Sequence, residues 1–383
     1  MNQVILASAV RTPLGAFCGQ LEGLSEQQLA AAAMREAVAR AGIPAEKIDE
    51  VIVGIAKQTS RPSNGGRHAM LLAHLPEQVP AYTVQRQSAS GLQAVVNGYW
   101  AIRCGDAGVV LAGGAESMSQ IPFEIRDARY AFDAKRREIV DAIPAQEAGA
   151  QPVSRYGLVT TARVAEHHAQ KYSLAEEELA VFAEASLKKA LAARENGGCE
   201  GEIVPLTVKR GKKEESIGAD ELVHEVTRLA PPADGAAMCL LASREKAETL
   251  ALPVLAEIVS VGIAATDPLY TGAAVVEASR KALGRAGLTL KEVDIIELNE
   301  ISAAECLAVL REWRTWGGAP EMLAKRINPA GGALATGNPW GAMGAVLLAR
   351  AVHALHRRCA RFAMVALGAE GGQGMAMVLR NPG

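Results

Sequence analysis

The sequence REAVARAGIPAEKIDEVIVG occupies residues 35–54, and RKALGRAGLTLKEVDIIELN occupies residues 280–299. In one ungapped register, Arg, Ala, Arg, Ala, Gly and Asp recur at positions 35, 37, 40, 41, 42 and 49 and again at 280, 282, 285, 286, 287 and 294. In the first copy a helical pattern ends at a glycine and a buried strand follows, and the second copy repeats this order. Two such units predict duplicated α/β halves that pack on one another.

Around the first copy, strand patterns at 4–7, 48–55 and 107–114 alternate with helical patterns at 25–41 and 64–75. This alternation predicts a mainly parallel sheet covered by helices. Residues 121–227 are more charged and richer in loops, with helical patches at 160–171 and 175–194, and are interpreted as an inserted lobe. The predicted division is a first half from 1–118 plus 228–252, an inserted domain at 119–227, and a second half at 253–383.

The turn Gln87-Ser88-Ala89-Ser90-Gly91-Leu92 joins an extended run to an apolar, helix-compatible segment. In the second half, Asn338 and Gly341 correspond to Ser88 and Gly91. A hydroxyl at a helix start lies near unpaired N–H groups, which suits a nucleophile whose product carries an oxyanion. The same position suits an ordinary helix cap. Two helix starts brought together by duplicated halves form a natural site for acyl chemistry.

Composition and charge exclude several other classes of protein. The net charge of −2 over 383 residues gives no electrostatic reason to expect nucleic acid or an anionic membrane as partner. The six cysteines are scattered without metal-ligand or redox spacing, so no metal is predicted. The start of the chain lacks a secretory signal and no apolar run is long enough to span a bilayer, so we expect a cytoplasmic protein.

The chain resembles the thiolase superfamily, specifically enzymes of the acetyl-CoA C-acyltransferase type, over nearly its whole length. The motifs that carry the resemblance are RTPLGAF (11–17), SGL (90–92), AGGAESMS (112–119), ELNE (297–300), NPAGGA (328–333), GNPWGA (337–342) and GGQG (371–374). The resemblance implies a five-layer αβαβα core of two halves with an inserted loop domain. It also implies a coenzyme A thioester as substrate, a homodimer or homotetramer, a place in fatty acid or lipid metabolism, and in some divergent members a small partner subunit.

The family's catalytic roles fall on altered residues. Ser88 stands where the family has its nucleophilic cysteine, and a serine hydroxyl needs an adjacent base. Asn338 stands at the position of the histidine, where its amide can donate to an oxyanion but cannot take a proton. Gly368 replaces the second cysteine, which exchanges the α-carbon proton, and supplies no acid–base group. Asn299 keeps the family identity, with a role in holding the water of an oxyanion hole.

Further departures surround these positions. Glu370 replaces a glycine and is a possible substitute base, although a carboxylate that faces solvent or pairs with a cation is the more ordinary interpretation. Ile301 and Ser302 replace an Ala-Phe pair in the acyl pocket, and Tyr156 falls where the family places a residue over the active site, to cap a pocket or simply to pack. The histidines at 167, 168, 353 and 356 are interpreted as surface residues on helices. Because no Ser–His–Asp set can be assembled from the motifs, a hydrolase is disfavoured.

Three functions follow from the resemblance and its departures. The first is a thiolase-type acyltransferase whose ordinary Claisen condensation and thiolysis are impaired. The second is a non-catalytic thiolase-fold protein that binds acyl-CoA or a partner. The third is acyl transfer by Ser88 to a different acceptor, with Glu370 or a residue of a partner as base. A single exchange of cysteine for serine would explain residue 88 but would leave Asn338 and Gly368 unexplained.

Overall fold

The structure, a computed structural model, describes residues 2–59, 62–126, 138–211, 213–317 and 320–383. The strands are β1 (Val4–Arg11), β2 (Gly15–Ala16), β3 (Glu50–Gly54), β4 (Ala81–Val84), β5 (Val109–Ser117), β6 (Phe123–Ile125), β7 (Ile139–Asp141), β8 (Leu206–Arg210), β9 (Lys213–Ile217), β10 (Ala233–Ser243), β11 (Ala256–Ala265), β12 (Ile295–Leu298), β13 (Phe362–Ala369) and β14 (Gln373–Arg380). The helices are α1 (Glu26–Ala41), α2 (Gly65–Leu72), α3 (Ser90–Cys104), α4 (Ala142–Gly149), α5 (Val153–Tyr156), α6 (Thr161–Lys171), α7 (Glu176–Glu195), α8 (Arg244–Thr249), α9 (Thr271–Ala286), α10 (Ala303–Thr315), α11 (Pro320–Arg326), α12 (Ala333–Thr336) and α13 (Trp340–Arg357).

The main sheet repeats one strand order twice. It runs β12–β13–β14–β11–β1–β10–β5–β3–β4. Read outward from the middle, β1–β10–β5–β3 corresponds to β11–β14–β13–β12, and the pairing directions match. The halves meet at a short antiparallel seam where Ile5 lies opposite Glu257 and Leu6 opposite Ala256. The predicted duplication of the fold is confirmed.

The prediction of a mainly parallel sheet is wrong, because the sheet is mixed. Parallel pairing joins β3 to β4 and β5, and β12 to β13. The other pairs are antiparallel: β10 pairs with β1 and β5 in the first half, and β14 pairs with β11 and β13 in the second. The reason in the second half is local: β13 and β14 are joined by the tight turn at residues 370–372, and only antiparallel neighbours can be joined so closely.

Three apolar cores separate five layers. Helices α3 and α13 lie between the strands of the two halves, in a core that includes Leu92 and Val346. A second core packs α1 and α2 on the outer face of the first half, and a third packs α9 and α10 on the outer face of the second half. Along β1, Leu6 faces the central core and Ile5 the outer one, as the alternation of a strand requires. The αβαβα layering is therefore present.

The two central helices approach each other through glycines. A Cβ at Gly91 would lie 2.6 Å from the carbonyl oxygen of Gly341, and a Cβ at Gly341 would lie 2.6 Å from the backbone nitrogen of Ala56. Both distances are far below van der Waals contact, so neither position accepts a side chain in this backbone. This crossing fixes the helix starts that follow Ser88 and Asn338 relative to each other.

The inserted region contains α4 to α7 and two hairpins, β6–β7 and β8–β9. The charged stretch at 209–215 lies at the end of the β8–β9 hairpin, and Lys212 within it lies outside the described residues. Residues 127–137 of the predicted lobe also lie outside them. The division of the chain at residues 118, 227 and 252 stays a prediction.

Candidate active site

The turn before α3 is held by Ser90 rather than capped by it. The Ser90 Oγ accepts a hydrogen bond from the Arg86 backbone N–H at 2.8 Å and donates one to the Gln87 carbonyl at 2.6 Å. Helix α3 begins at Ser90, and no side chain caps its first turn. Gln87 has a φ of 49°, a left-handed conformation that a non-glycine residue adopts only when its surroundings impose it. Ser90 therefore fixes the turn and does not cap the helix.

Ser88, which is 2% exposed, contacts a carboxylate. Its Oγ lies 2.9 Å and 3.0 Å from the two carboxylate oxygens of Glu370. Its backbone N–H donates to the Oε2 of Glu370 at 3.2 Å. A hydroxyl whose hydrogen bond goes to a carboxylate is not a helix cap. A hydroxyl in contact with a carboxylate is the geometry that a serine nucleophile needs from an adjacent base.

Glu370 reaches Ser88 from the turn between β13 and β14, in the other half of the molecule. The ordinary interpretation of this carboxylate, facing solvent or pairing with a cation, does not describe its position. Within the described chain, its contacts are with Ser88, and no Lys, Arg or His lies within ion-pair distance of it. Whether it acts as the base stays a prediction.

Ser88 and Glu370 line a narrow cavity with a volume of about 30 Å³. The predicted residues Ile301, Ser302 and Gly368 line it as well. The other residues of the lining come from the inserted region and from the second half: Glu147, Gln151, Val159, Thr160, Thr161, Val164, Pro268, Thr271, Glu305, Ala369 and Gly371. The cavity is therefore a meeting point of both halves and the inserted domain.

The two asparagines do not line this cavity, but both are buried with free amides. Asn299 and Asn338 are 2% and 1% exposed, and neither amide has a hydrogen-bond partner among the described residues. Buried amides are almost always hydrogen bonded, to protein, to water or to a ligand. Their positions are fixed by the backbone, since Asn299 donates its N–H to Ala366 and Asn338 to Pro231. Such amides suit a bound water or an oxyanion.

Tyr156 lies at the end of α5 and is not part of the cavity lining. Its ring packs under the guanidinium of Arg155, which lies 5.0 Å from the ring centroid. Of the two expected forms, packing is the one seen in the chain by itself, and a role in substrate binding stays a prediction.

Of the histidines expected at the surface, one is buried and one is half-buried. His168 is 1% exposed, and its Nδ1 lies 2.8 Å from the Val164 carbonyl while its Nε2 accepts the Gly272 N–H at 3.2 Å. His353 is half-buried, with its Nε2 2.8 Å from the Ala9 carbonyl, and burial lowers its pKa. Helical position alone did not reveal which face of each helix meets a neighbour.

Two carboxyls in the cavity were not anticipated, Glu147 and Glu305. Burial raises the pKa of both, and the Glu370 carboxylate raises each further. Glu147 accepts hydrogen bonds from the backbone and the hydroxyl of Thr161. Glu305 follows Ser302 in the pattern Ser-x-x-Glu, an ordinary capping box, and that pattern conceals any other role. The structure keeps only half of the box: Ser302 accepts the Glu305 N–H at 3.0 Å, while the Glu305 carboxyl turns into the cavity.

Comparison with known proteins defines the class. A family model described as "Thiolase, N-terminal domain" matches residues 4–245, and one described as "Thiolase, C-terminal domain" matches residues 252–381. The chain belongs to the thiolase family, as its motifs indicated.

Particular relatives span its full length. An acetyl-CoA acetyltransferase of Pseudomonas aeruginosa is 38% identical over 401 aligned residues, covering 99% of each chain. A probable acetyl-CoA acyltransferase of Staphylococcus aureus is 34% identical with the same coverage. The crystal structure of the Bacillus anthracis acetyl-CoA acetyltransferase matches with a TM-score of 0.94 at 31% identity, covering 100% of this chain and 99% of that one. Human mitochondrial 3-ketoacyl-CoA thiolase matches with a TM-score of 0.92 at 30% identity, also covering 100% of this chain and 99% of that one.

The described residues offer neither a membrane span nor a metal-binding cluster. Among the described residues, no helix is both long and apolar enough to cross a bilayer. The same part of the chain holds no group of three or more His, Cys, Asp or Glu side chains arranged to bind a metal ion. The absence of a metal and the cytoplasmic location stay predictions.

Proposed function

We propose that this chain is an acyltransferase that takes an acyl group from a coenzyme A thioester onto Ser88, with Glu370 as the base. The observation that carries the proposal is the contact of the Ser88 hydroxyl with the Glu370 carboxylate at 2.9 Å, just before the first turn of helix α3 in a thiolase fold. The thioester substrate is the one named for the relatives, and the narrow cavity favours a short acyl group.

Acylation of Ser88 forms one bond, to the serine oxygen, and breaks another, the C–S bond of the thioester. Glu370 takes the hydroxyl proton as the Ser88 Oγ attacks the thioester carbonyl, and the C–S bond then breaks. The departing thiolate takes the proton from Glu370, which leaves an ester on Ser88 and free coenzyme A thiol. Once protonated, Glu370 is neutral and holds the Ser88 N–H less strongly, so this N–H becomes available to the oxyanion.

The amides of Asn299 and Asn338 support the same proposal. Oxyanion holes are built from donors held in place before the reaction, and removal of one donor typically costs ~10²–10³ in rate. Asn299 would hold a water, and Asn338 would donate directly or through water. Both amides are otherwise without partners in the described chain.

Ordinary Claisen condensation and thiolysis are proposed to be slow. Ser88 replaces a thiol that is far more easily ionised, and a carboxylate is a weaker base than the imidazole that Asn338 replaces. Loss of a well-matched acid or base costs ~10²–10⁴ in rate for each role. Thiolysis of acetoacetyl-CoA within tenfold of an ordinary thiolase would contradict this part of the proposal.

One observation favours a second function, the binding of acyl-CoA without chemistry. The Glu370 carboxylate occupies the Ser88 N–H, where an oxyanion would otherwise bind, at 3.2 Å. If Glu370 does not leave that N–H, a thioester binds beside Ser88 without reacting.

Intact-protein mass spectrometry after incubation with a panel of acyl-CoAs separates the two functions. Transfer predicts a mass increase of one acyl group in the native protein and none in the Ser88→Ala variant. Binding of acyl-CoA by calorimetry, without an adduct on the native protein, would instead establish the second function.

We also propose that the chain assembles as a homodimer or homotetramer. Large apolar residues stand exposed on the β6–β7 hairpin, with Phe123 at 66% and Ile139 at 67% exposure. Exposed apolar surface of this kind marks contact sites. Light scattering after gel filtration gives the mass, and a monomer would contradict the proposal.

A further inference from the structure

Glu305 is the most enclosed carboxyl in the cavity that begins at Ser88. The residue is 3% exposed, and the hydroxyl of Thr271 donates a hydrogen bond to its Oε2. None of the hydrogen bonds among the described residues ends on its Oε1, and the side chain lines the cavity. A buried carboxyl with one oxygen engaged and one free is aimed at whatever occupies the cavity.

The free oxygen takes the space that a side chain at residue 368 would need. A Cβ built on Gly368 would lie 2.7 Å from Oε1 of Glu305, while its other neighbours, Thr271 and Val275, would lie at an ordinary 3.5 Å. Glu305 and Gly368 are therefore matched: the carboxyl can enter the cavity because the strand opposite carries no side chain.

The groups that face Glu305 leave its carboxyl able to bind and release a proton. His168, on α6, has its Nδ1 beside the Val164 carbonyl and its Nε2 beside the Gly272 N–H, so both ring nitrogens are engaged with backbone groups. The other titratable groups of the cavity are the carboxyls of Glu147 and Glu370, and the charge of Glu370 opposes ionisation of Glu305. Burial is the largest effect and raises the pKa of Glu305; His168 and the hydrogen bond from Thr271 lower it in part, and Glu370 raises it further. A carboxylate in such a place is a stronger base once ionised, and a better-matched acid near neutral pH.

An acyl group carried by Ser88 has to extend into this cavity. The first carbon beyond its carbonyl bears the only readily ionised C–H bonds of a simple acyl thioester or ester. Glu305 lines the same cavity as Ser88, and Glu370 is already engaged with Ser88. Two carboxyls in differing environments divide the acid and base roles of one site.

We propose that Glu305 is the acid–base residue that removes and returns the proton at the α-carbon of the acyl group. The carboxylate takes one α-proton, the C–H electron pair becomes the enolate, and the protonated carboxyl returns a proton to the same carbon. No oxidant or other reactant is needed. The inference rests on the proposed use of a coenzyme A thioester. It gives the site a group that can exchange the α-proton, which Gly368 cannot do.

Deuterium exchange tests this role directly. Acetyl-CoA is incubated with the protein in D₂O, and deuterium in the acetyl group is measured by mass spectrometry. The native protein is expected to incorporate deuterium well above the rate without protein, and Glu305→Gln to lower that rate by about 100-fold or more. Because the carboxylate is the active form, the rate should rise with pH through the raised pKa of Glu305 and then level off.

Three further variants separate proton transfer from a structural role. Glu305→Asp keeps a carboxyl and should retain part of the exchange. Gly368→Ala keeps Glu305 but places a Cβ against its Oε1, so it should also lower the exchange, by at least about tenfold. Glu312→Gln, on the same helix but bonded to Tyr172 outside the cavity, should leave the exchange within twofold of native.

The acylation of Ser88, followed on the same samples, distinguishes the two proposals. An adduct that persists in Glu305→Gln with loss of exchange supports the role. Unchanged exchange in Glu305→Gln, or a native protein that binds acetyl-CoA without exchange, overturns it while leaving the Ser88 adduct to be judged separately. Exchange that depends on Glu305 in the absence of any adduct would overturn acylation of Ser88 and keep the role of Glu305.

Discussion

The two halves of the molecule share their scaffold contacts but not their chemistry. In the first half, Asp49 accepts the N–H groups of Gly108 and Val109, and in the second Asp294 accepts those of Arg361 and Phe362. Ser8 and Ser260 each donate to a helix carbonyl, on α1 and α9, at 2.7 Å in both cases. The repeated residues of the sequence are thus the ones that join helix to strand in each copy.

At the cavity the halves differ completely. The first half supplies the hydroxyl of Ser88, while the second supplies the carboxyls of Glu370 and Glu305. Duplication placed two helix starts together, and each then acquired different side chains. The comparison teaches that hydrogen bonds within a half are retained by the fold, whereas residues facing the shared cavity are free to diverge.

The largest expected effect comes from the cavity. Glu370→Gln keeps the shape of the side chain and can still bond to Ser88, but it cannot take a proton. We expect the rate of Ser88 acylation by acyl-CoA to fall by ~10²–10⁴. Rapid-quench mass spectrometry measures this rate, and the exposed Glu46→Gln serves as the control. Acylation at the native rate in Glu370→Gln would remove Glu370 from the chemistry.

The next effect is on stability and involves one buried glutamate in each half. Burial raises the pKa of Glu116 and of Glu297 to about 7 in each case. Unfolded glutamate has a pKa of about 4.3, so between that value and about 7 the native state binds more protons than the unfolded state. The free energy of unfolding should therefore fall as the pH rises through this window, by up to roughly 3 kcal/mol for each residue.

Denaturant unfolding at pH 5.5 and pH 7.5 measures this fall. Glu297→Gln is the informative variant, because one carboxylate oxygen of Glu297 has no hydrogen-bond partner in the described chain and Arg350 lies 3.7 Å away. It should reduce the difference between the two pH values by about half, since Glu116 remains. An unchanged difference would show that Glu297 does not titrate in this range.

The smallest effects should be equal in the two halves. Asp49→Ala and Asp294→Ala each leave two backbone N–H groups without their acceptor, at a cost of about 1 to 2 kcal/mol. Thermal or denaturant unfolding should give values that agree within about 1 kcal/mol, and the exposed Asp106→Ala should change little. A large difference between the two losses in free energy of unfolding would mean that the repeated aspartates do not contribute equally to stability.

Much of the fold was accessible from the sequence because its signals are local. The capping box at Ser25, the left-handed glycines at 42 and 287 that end α1 and α9, and the buried strand after each are properties of short segments. The antiparallel members of the sheet were missed because β10 returns to pair between β1 and β5 from more than 100 residues away along the chain.

The site divides in the same way. Ser88 could be located from its turn and from the family motifs, but its contact with Glu370 spans 282 positions. Glu305 was missed for a different reason. The pattern from Ser302 to Glu305 is fully explained in the sequence as a helix cap. Only the structure shows that the carboxyl points into the cavity, in the space left by the missing side chain of Gly368.

The contact between Gly91 and Gly341 has a consequence for how this fold changes over time. Because the closest approach of the two helices, at Gly91 and Gly341, is a backbone contact within a core of other side chains, residues 88 and 338 take no part in setting it. A mutation at either position alters reactivity without moving the other. The protein can therefore pass through catalytically poor intermediates while remaining folded, which gives a lineage time to assemble a new set of reactive groups.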